Sequence, residues 1–246
     1  PRELKSEFGK YLVVFIMMAI TIGFVSGFLV ADGSMLRAYD DSFQKYNIED
    51  GYFQTKKKLT PAQKEDIEKS DVKVYENFYI EQKLTNGSTI RFFKNRKEVD
   101  KVCLMNGKMP KKSGEIAVDR MYADNNELKV GDTVKSRKKT FRITGLVALS
   151  DYSALFQNNN DTMFDAVKFG VAIVTDKDFE ALNQVKVQYN YAWIYDKKPA
   201  TEKKEKKMAE DLMEDMAILC DKLCAGEITG AAEHVDARAA RFGDVR

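Results

Sequence analysis

Between Tyr11 and Ala31 the chain reads YLVVFIMMAITIGFVSGFLVA, 21 residues without a charge in a sequence where 32% of residues are charged. No other feature narrows the possible folds as much. A helix rises about 1.5 Å per residue, so the run reaches roughly 30 Å, the thickness of a bilayer's hydrocarbon core. In lipid every backbone polar group must bond internally, and one continuous helix achieves that. Residues 11–31 therefore predict a transmembrane helix, preceded by a short charged lead-in over residues 1–10. A cleaved secretory signal fits less well. The run is longer than the ~7–15 residues of a usual signal core, and no A-x-A site follows it.

Arg2, Lys5 and Lys10 precede the run, whereas Asp32, Asp40 and Asp41 follow it. Basic residues are retained on the cytoplasmic side, which puts the N-terminus inside and the rest of the chain outside, extracellular or periplasmic. Within the run Ala19, Gly23, Gly27 and Ala31 recur every fourth residue. That stripe of small side chains suits close packing against further helices or a second copy. Beyond it, Met35, Leu36, Tyr39, Phe43 and Tyr46 follow helical spacing, so the helix should continue as a stalk within residues 32–50.

Composition excludes several functions. Of 40 basic and 38 acidic residues, three basic and two acidic precede the membrane run, so the outer portion carries 37 against 36, is near neutral and has no electrostatic footprint for nucleic acid. Cys103, Cys220 and Cys224 lack the spacing of a disulfide framework. Cys220 and Cys224 fall one helical turn apart, a poor bridging geometry. No G-x-x-x-x-G-K-[ST] occurs to cradle a nucleotide. His234 is the only histidine, which rules out multi-histidine zinc sites and argues against a His-based triad. No catalytic constellation, metal site or cofactor site emerges, and the chain reads as a non-enzyme.

From residue 51 to 226 the pattern is mixed. A short strand is expected at Tyr52–Gln54. Thr60-Pro61-Ala62-Gln63 opens a helix to about Lys69, with Thr60 as N-cap and Gln63 completing a capping box. Val72–Leu84 alternates like one strand, Asn86-Gly87 suggests a type I′ turn, and Thr89–Lys94 returns as its partner. Further strands are expected at Val99–Met105, Glu115–Val118, Thr133–Lys135, Thr140–Leu149, Val171–Thr175 and Gln188–Tyr195. Short helices should follow Asp119 and Asp176, each acting as a cap. Met163, Phe164 and Val167 suggest a short amphipathic piece. A long helix is expected from Thr201, with Met208, Leu212, Met216, Leu219 and Leu223 on one face and Gly226 as its stop. Residues 227–246 have weak pattern. Phe78, Tyr79, Phe92, Phe93, Tyr189, Tyr191, Trp193 and Tyr195 either fill a core or line an apolar groove.

One order of motifs is more informative than any motif alone. Gly107…Pro110, Glu115-Ile116-Ala117-Val118, Leu128-Lys129-Val130-Gly131-Asp132-Thr133-Val134 and Phe141-Arg142-Ile143-Thr144-Gly145 follow one another behind a first membrane span. That order resembles the extracytoplasmic domain of FtsX/MacB-like ABC transporter permeases. The resemblance implies an α+β fold: one N-terminal transmembrane helix with a helical stalk, then a mixed α/β extracytoplasmic domain of two subdomains. It also implies later spans, toward which residues 227–246 would lead, so that the chain reads as a portion of a longer permease. The implied partners are a cytoplasmic ABC ATPase that binds ATP on a separate subunit, further permease helices or a second copy, membrane lipid, and an unknown extracytoplasmic substrate or partner. The implied function is to couple ATP hydrolysis to motion of the outer domain, which would export or extract a peptide, lipid or lipoprotein, or activate a partner. The alternative is a single-pass, membrane-anchored ligand-binding sensor or adhesion protein.

Overall fold

The computed structural model describes residues 8–136, 139–158, 161–182, 186–223 and 228–229. The chain forms two compact units, Pro1–Lys45 and Tyr46–Arg246. In the first, helix α1 begins at Phe8, and it runs without interruption to Tyr46, 39 residues in all. The apolar run and the expected stalk are therefore one helix. Its portion Phe8–Phe28 has a mean hydropathy of 2.2, apolar and long enough to cross a membrane.

The second unit is built on two sheets. The smaller contains β1 (Gly51–Thr55), β2 (Val72–Glu76), β10 (Tyr189–Tyr195) and β11 (Ile228–Thr229) in the order β11-β1-β10-β2, all antiparallel. Helix α2 (Pro61–Glu68) and the long helix α5 (Glu202–Leu223) supply its cover. The reason lies in strand alternation: Tyr191, Trp193 and Tyr195 project to one face of β10. There they meet Phe53, Val72, Val74, Ile67 of α2, and Ala209 and Leu212 of α5. Phe53 stacks on Tyr191 at 5.3 Å between centroids, and Trp193 meets Tyr195 edge-on at 4.8 Å. Each such fully buried large side chain contributes about 2–3 kcal/mol. The capping box expected at the start of α2 is present, with Thr60 accepting from Gln63 N and Gln63 reaching back to Thr60 N.

The larger sheet runs β3 (Tyr79–Lys83), β4 (Thr89–Lys94), β9 (Phe169–Val174), β6 (Glu115–Asp119), β8 (Thr140–Ala148) and β5 (Cys103–Gly107), with β7 (Thr133–Lys135) also on β8. Two of its pairs, β4 with β9 and β6 with β8, are parallel. It curls back on itself, because Leu84 at the end of β3 bridges Ser136 beyond β7, and Thr85 N–H donates to Lys135 O at 2.9 Å. The enclosed core includes Ile80, Ile90, Phe92, Ile116, Phe141, Ile143 and Ile173, all at most 1% exposed. The continuous apolar run expected to be a buried strand is β9, every residue of which is buried.

Several local expectations are corrected. Val72–Leu84 is not one strand: it breaks at Asn77-Phe78, so that β2 lies in the small sheet and β3 in the large one. The β3–β4 hairpin is real, but its turn is not type I′. Only Gly87 has positive φ, Leu84 N–H donates to Ser88 O, and Gly87 N–H donates to Leu84 O. This is a three-residue loop closed by a left-handed glycine, the commonest alternative to a two-residue turn. The strand expected over Val99–Met105 starts later, at Cys103, and includes Gly107. The cap of helix α4 (Asp176–Leu182) is Thr175 rather than Asp176: Thr175 Oγ1 accepts from Asp178 N at 3.2 Å. Asp119 does cap helix α3 (Arg120–Asn125), accepting from Met121 and Tyr122 N–H. Met163, Phe164 and Val167 form no helix and are exposed.

The motif order has a mechanical explanation here. Leu128–Asp132 is a turn strapped to β8, with Gly131 N–H donating to Ile143 O and Ile143 N–H to Asp132 O, both at 2.8 Å. Gly107 and Gly145 face each other where β5 bulges against β8. A Cβ at Gly107 would lie 2.3 Å from Thr144 O, and one at Gly145 would lie 2.6 Å from Lys108 O. Two backbones approach too closely there for any side chain, so both glycines are dictated by sheet geometry.

Candidate coupling junction

The chain enters the domain through Tyr46–Asp50, and Tyr46, Asn47, Glu49 and Asp50 fasten this segment to both sheets and the turn between them. Helix α1 stops because Asn47 takes a left-handed conformation, φ +49°, a common way to end a helix. Two carbonyls left over at the helix end find partners across the chain: Lys101 N–H donates to Tyr46 O at 2.8 Å and Asp100 N–H to Asn47 O at 3.0 Å. Asn47 Nδ2 donates to Glu98 O at 2.7 Å, and Tyr46 OH donates to Cys103 Sγ at 3.0 Å. These contacts hold the segment to the turn that joins β4 and β5. Asp50 does the same for the small sheet, donating N–H to Trp193 O and accepting Tyr195 N–H on Oδ2, both at 3.0 Å.

Beneath this segment lies a buried group of charges. Asp100 is fully buried and accepts Glu49 N–H at 3.0 Å and Ser150 Oγ–H at 3.5 Å on one carboxylate oxygen. Glu49 itself is 6% exposed. Arg96 follows β4, lies over the ring of Phe93 at 4.3 Å, and donates Nη1–H to Asp151 at 2.7 Å. Arg96 Nε and Nη2 and Asp100 Oδ2 have no hydrogen-bond partner among the described residues. Burial, and next the charge of Asp151, push the Asp100 carboxyl up to about 6 despite the opposing pull of Arg96.

Next to it, Arg91 on β4 fixes the segment after β8. Its guanidinium donates to Glu81 Oε2 at 2.9 Å, to Tyr152 OH at 3.1 Å and to Gln157 O, and it lies between the rings of Tyr79 and Phe169. Because Asp151 and Tyr152 share a short 3-10 turn (Ser150–Tyr152), Arg91 and Arg96 together clamp that turn against β4.

Of the residues singled out in the sequence, Tyr46, Cys103, Trp193 and Tyr195 make hydrogen bonds at this junction. Phe43 is half-buried, as is Tyr46. Ala19, Gly23 and Gly27 are exposed on α1, and a Cβ built at either glycine meets nothing within 4 Å among the described residues. Ala31, Met35, Leu36 and Tyr39 belong to α1, but their side chains lie outside the described residues, as do Cys224, Gly226, His234 and the side chain of Cys220. The aromatic groove is filled: Tyr79, Phe92, Phe93, Tyr191, Trp193 and Tyr195 are buried, while Phe78 and Tyr189 pack against both cores. Glu49, Arg96, Asp100 and Asp151 were not legible as a group, since about fifty residues separate Glu49 and Asp151 each from the Arg96–Asp100 stretch and ordinary charged turns surround them.

No protein-family model matches the chain, and no curated protein sequence does. Among solved structures, the extracellular domain of the noncanonical ABC-type transporter YknZ from Gram-positive bacteria is similar over 73% of this chain and 98% of its own. Its identity is 11% and its TM-score 0.36. The periplasmic region of MacB from Actinobacillus actinomycetemcomitans is similar over 81% of this chain and 95% of its own, at 13% identity and TM-score 0.36.

Proposed function

We propose that this chain is the first span and outer domain of an FtsX/MacB-like ABC transporter permease, with its N-terminus cytoplasmic and its domain on the outer side. A cytoplasmic ATPase would drive movement of the spans, and α1 would carry that movement to a domain acting on a peptide, lipid, lipoprotein or protein partner. The observation that carries this reading is the continuity of α1. The helix runs unbroken from the apolar run to Tyr46, and of the residues that follow, Asn47, Glu49 and Asp50 are hydrogen-bonded to the strands and turns of both sheets. A continuous helix is the element that would carry such a shift along its own length.

The test is purification of the complete gene product from its native membrane. Stoichiometric recovery of an ABC ATPase, lost on Gly23→Leu with Gly27→Leu, is the expected result. Recovery without any nucleotide-binding subunit overturns the permease reading in favour of the single-pass sensor. An ATPase that remains bound to the double variant overturns the packing role of the stripe Ala19-Gly23-Gly27-Ala31.

A further inference from the structure

We propose that the open edge of β5 is a docking site for an extended, acidic segment of a protein partner, which adds to the large sheet as a further strand. β5 is the last strand in the order of that sheet, and among the described residues it pairs with β8 alone. In an antiparallel pair alternate residues turn their N–H and C=O groups away from the neighbouring strand. The far side of β5 is therefore a row of backbone donors and acceptors suited to another strand. Cys103, at its start, holds Tyr46 OH, and the stretch Leu104–Gly107 is exposed throughout. Leu104 and Met105 are 42% and 51% exposed, a large apolar load for an edge strand. Beside them lies an open hollow, with Asn106 of β5 on one side and Leu128, Val130 and Leu146 as its apolar floor. Strand addition uses both features: the backbone ladder supplies affinity, and a hollow next to it selects one side chain, here an apolar one.

Charge identifies the occupant. Residues 101–112, KVCLMNGKMPKK, carry four lysines and no acid. Lys101 before the strand and Lys108, Lys111 and Lys112 after it are all exposed. Glu115, three residues further on, accepts the Lys111 and Lys112 N–H groups on one carboxylate oxygen. At the rim of the hollow Asp124 pairs with Arg120 at 3.3 Å, and Glu127 is offset by Lys129. The edge is thus basic at both ends and apolar between them, which fits a segment whose acidic residues flank apolar ones. A second copy of the chain fits poorly. Antiparallel pairing of two β5 strands sets the Lys101 end of one against the Lys108 end of the other, and like charges placed so are destabilising. An acidic strand turns that repulsion into attraction. The site stands on the sheet edge and its charge, whichever kind of membrane protein carries the domain.

Fluorescence anisotropy on the whole chain in nanodiscs of phosphatidylcholine, without any ATPase, tests the site separately from the permease reading. The probe is a labelled peptide, Glu-Val-Glu-Leu-Glu-Val-Glu. One comparison peptide has lysine for every glutamate. The other is N-methylated at the central leucine and the glutamate before it, which removes a donor from each edge of the strand. The acidic peptide should bind at least about tenfold more tightly than either, and Lys101→Glu combined with Lys108→Glu should weaken it about tenfold. Equal binding of the acidic and basic peptides overturns the acidic partner, and so does acidic-peptide binding that the double variant leaves unchanged. Undiminished binding of the N-methylated peptide overturns strand addition, and no binding of the acidic peptide overturns the site. In a separate arm, phosphatidylserine vesicles captured through the same lysines while the peptide is ignored make the edge a lipid contact and overturn the proposal. Should the double variant fail to fold, the two comparison peptides on the wild type decide.

Discussion

Asp100 and Asp178 are both fully buried, yet their surroundings drive them in opposite directions. Asp178 sits at the other end of the argument about burial: Ser113 Oγ–H at 2.6 Å, Gly114 N–H at 2.8 Å, Thr175 Oγ1–H at 3.0 Å and the Lys139 ammonium all donate to it. Burial alone pushes its carboxyl up, but those donors outweigh it and hold the group below the ordinary aspartate value. Asp100 has weaker support, with Asp151 nearby and its arginine bonded to Asp151 instead, and it is raised. The contrast teaches that burial sets the stakes and the donor set decides the sign. Asp178 pins the turn before β6, the lead-in to β8 and the start of α4 together. Asp100 seats the segment through which the chain enters.

The largest effect should come from breaking the satisfied site. Asp178→Asn strips Lys139 of its partner and takes the charged acceptor from four donors at a fully buried position, and should cost about 3–4 kcal/mol in urea unfolding of the whole chain. Its folded-state value is lowered, so its contribution is present above the unfolded carboxylate range near 4 and is lost as pH falls through the folded value. The variant should therefore have a flatter acid limb than the wild type. Next, Arg96→Met leaves Asp151 without its partner and should cost about 3 kcal/mol at neutral pH, a deficit that shrinks on acidification as the acids take up protons.

Asp100→Asn should behave with the opposite sign. Because the folded value is raised, folding takes up a proton between about pH 4 and pH 6, and wild-type stability rises as pH falls through that window. The asparagine variant lacks this slope. It should be about 1 kcal/mol more stable than the wild type at pH 7 and have no advantage near pH 4, read from paired denaturation curves. The smallest change is Ser113→Ala, which removes one of the donors to Asp178 and should cost about 1 kcal/mol. If Asp100→Asn and Asp178→Asn shift stability with the same pH slope, the contrast between the two sites is wrong.

Much of the fold was legible in local signals. The capping box at Thr60, the Asp119 cap and the buried run of β9 each depend on neighbours within a few residues. Where the reading slipped, a longer-range effect decided. Alternation through Val72–Leu84 is real on both sides of Asn77-Phe78, but the chain changes sheets there, and alternation carries no information about which sheet a strand joins. Thr175 took the capping role from Asp176 because the strand β9 ends one residue earlier than its polar boundary suggested. The glycines at 107 and 145 stood out as motif positions, although their reason, two backbones meeting at a bulge, appeared only in the pairing of β5 with β8.

The sequence by itself determined the helix: an uncharged run of 21 residues, and beyond it a helical spacing to Tyr46, have no comparable alternative in water or lipid. It also determined a mixed domain with glycine-locked turns in a set order. Only the tertiary structure decided where charge is buried. Glu49, Arg96, Asp100 and Asp151 meet because the curled sheet brings its β4 and β8 ends beneath the entry segment. A carboxylate's affinity for a proton depends on distances of a few ångströms, which chain separation does not encode.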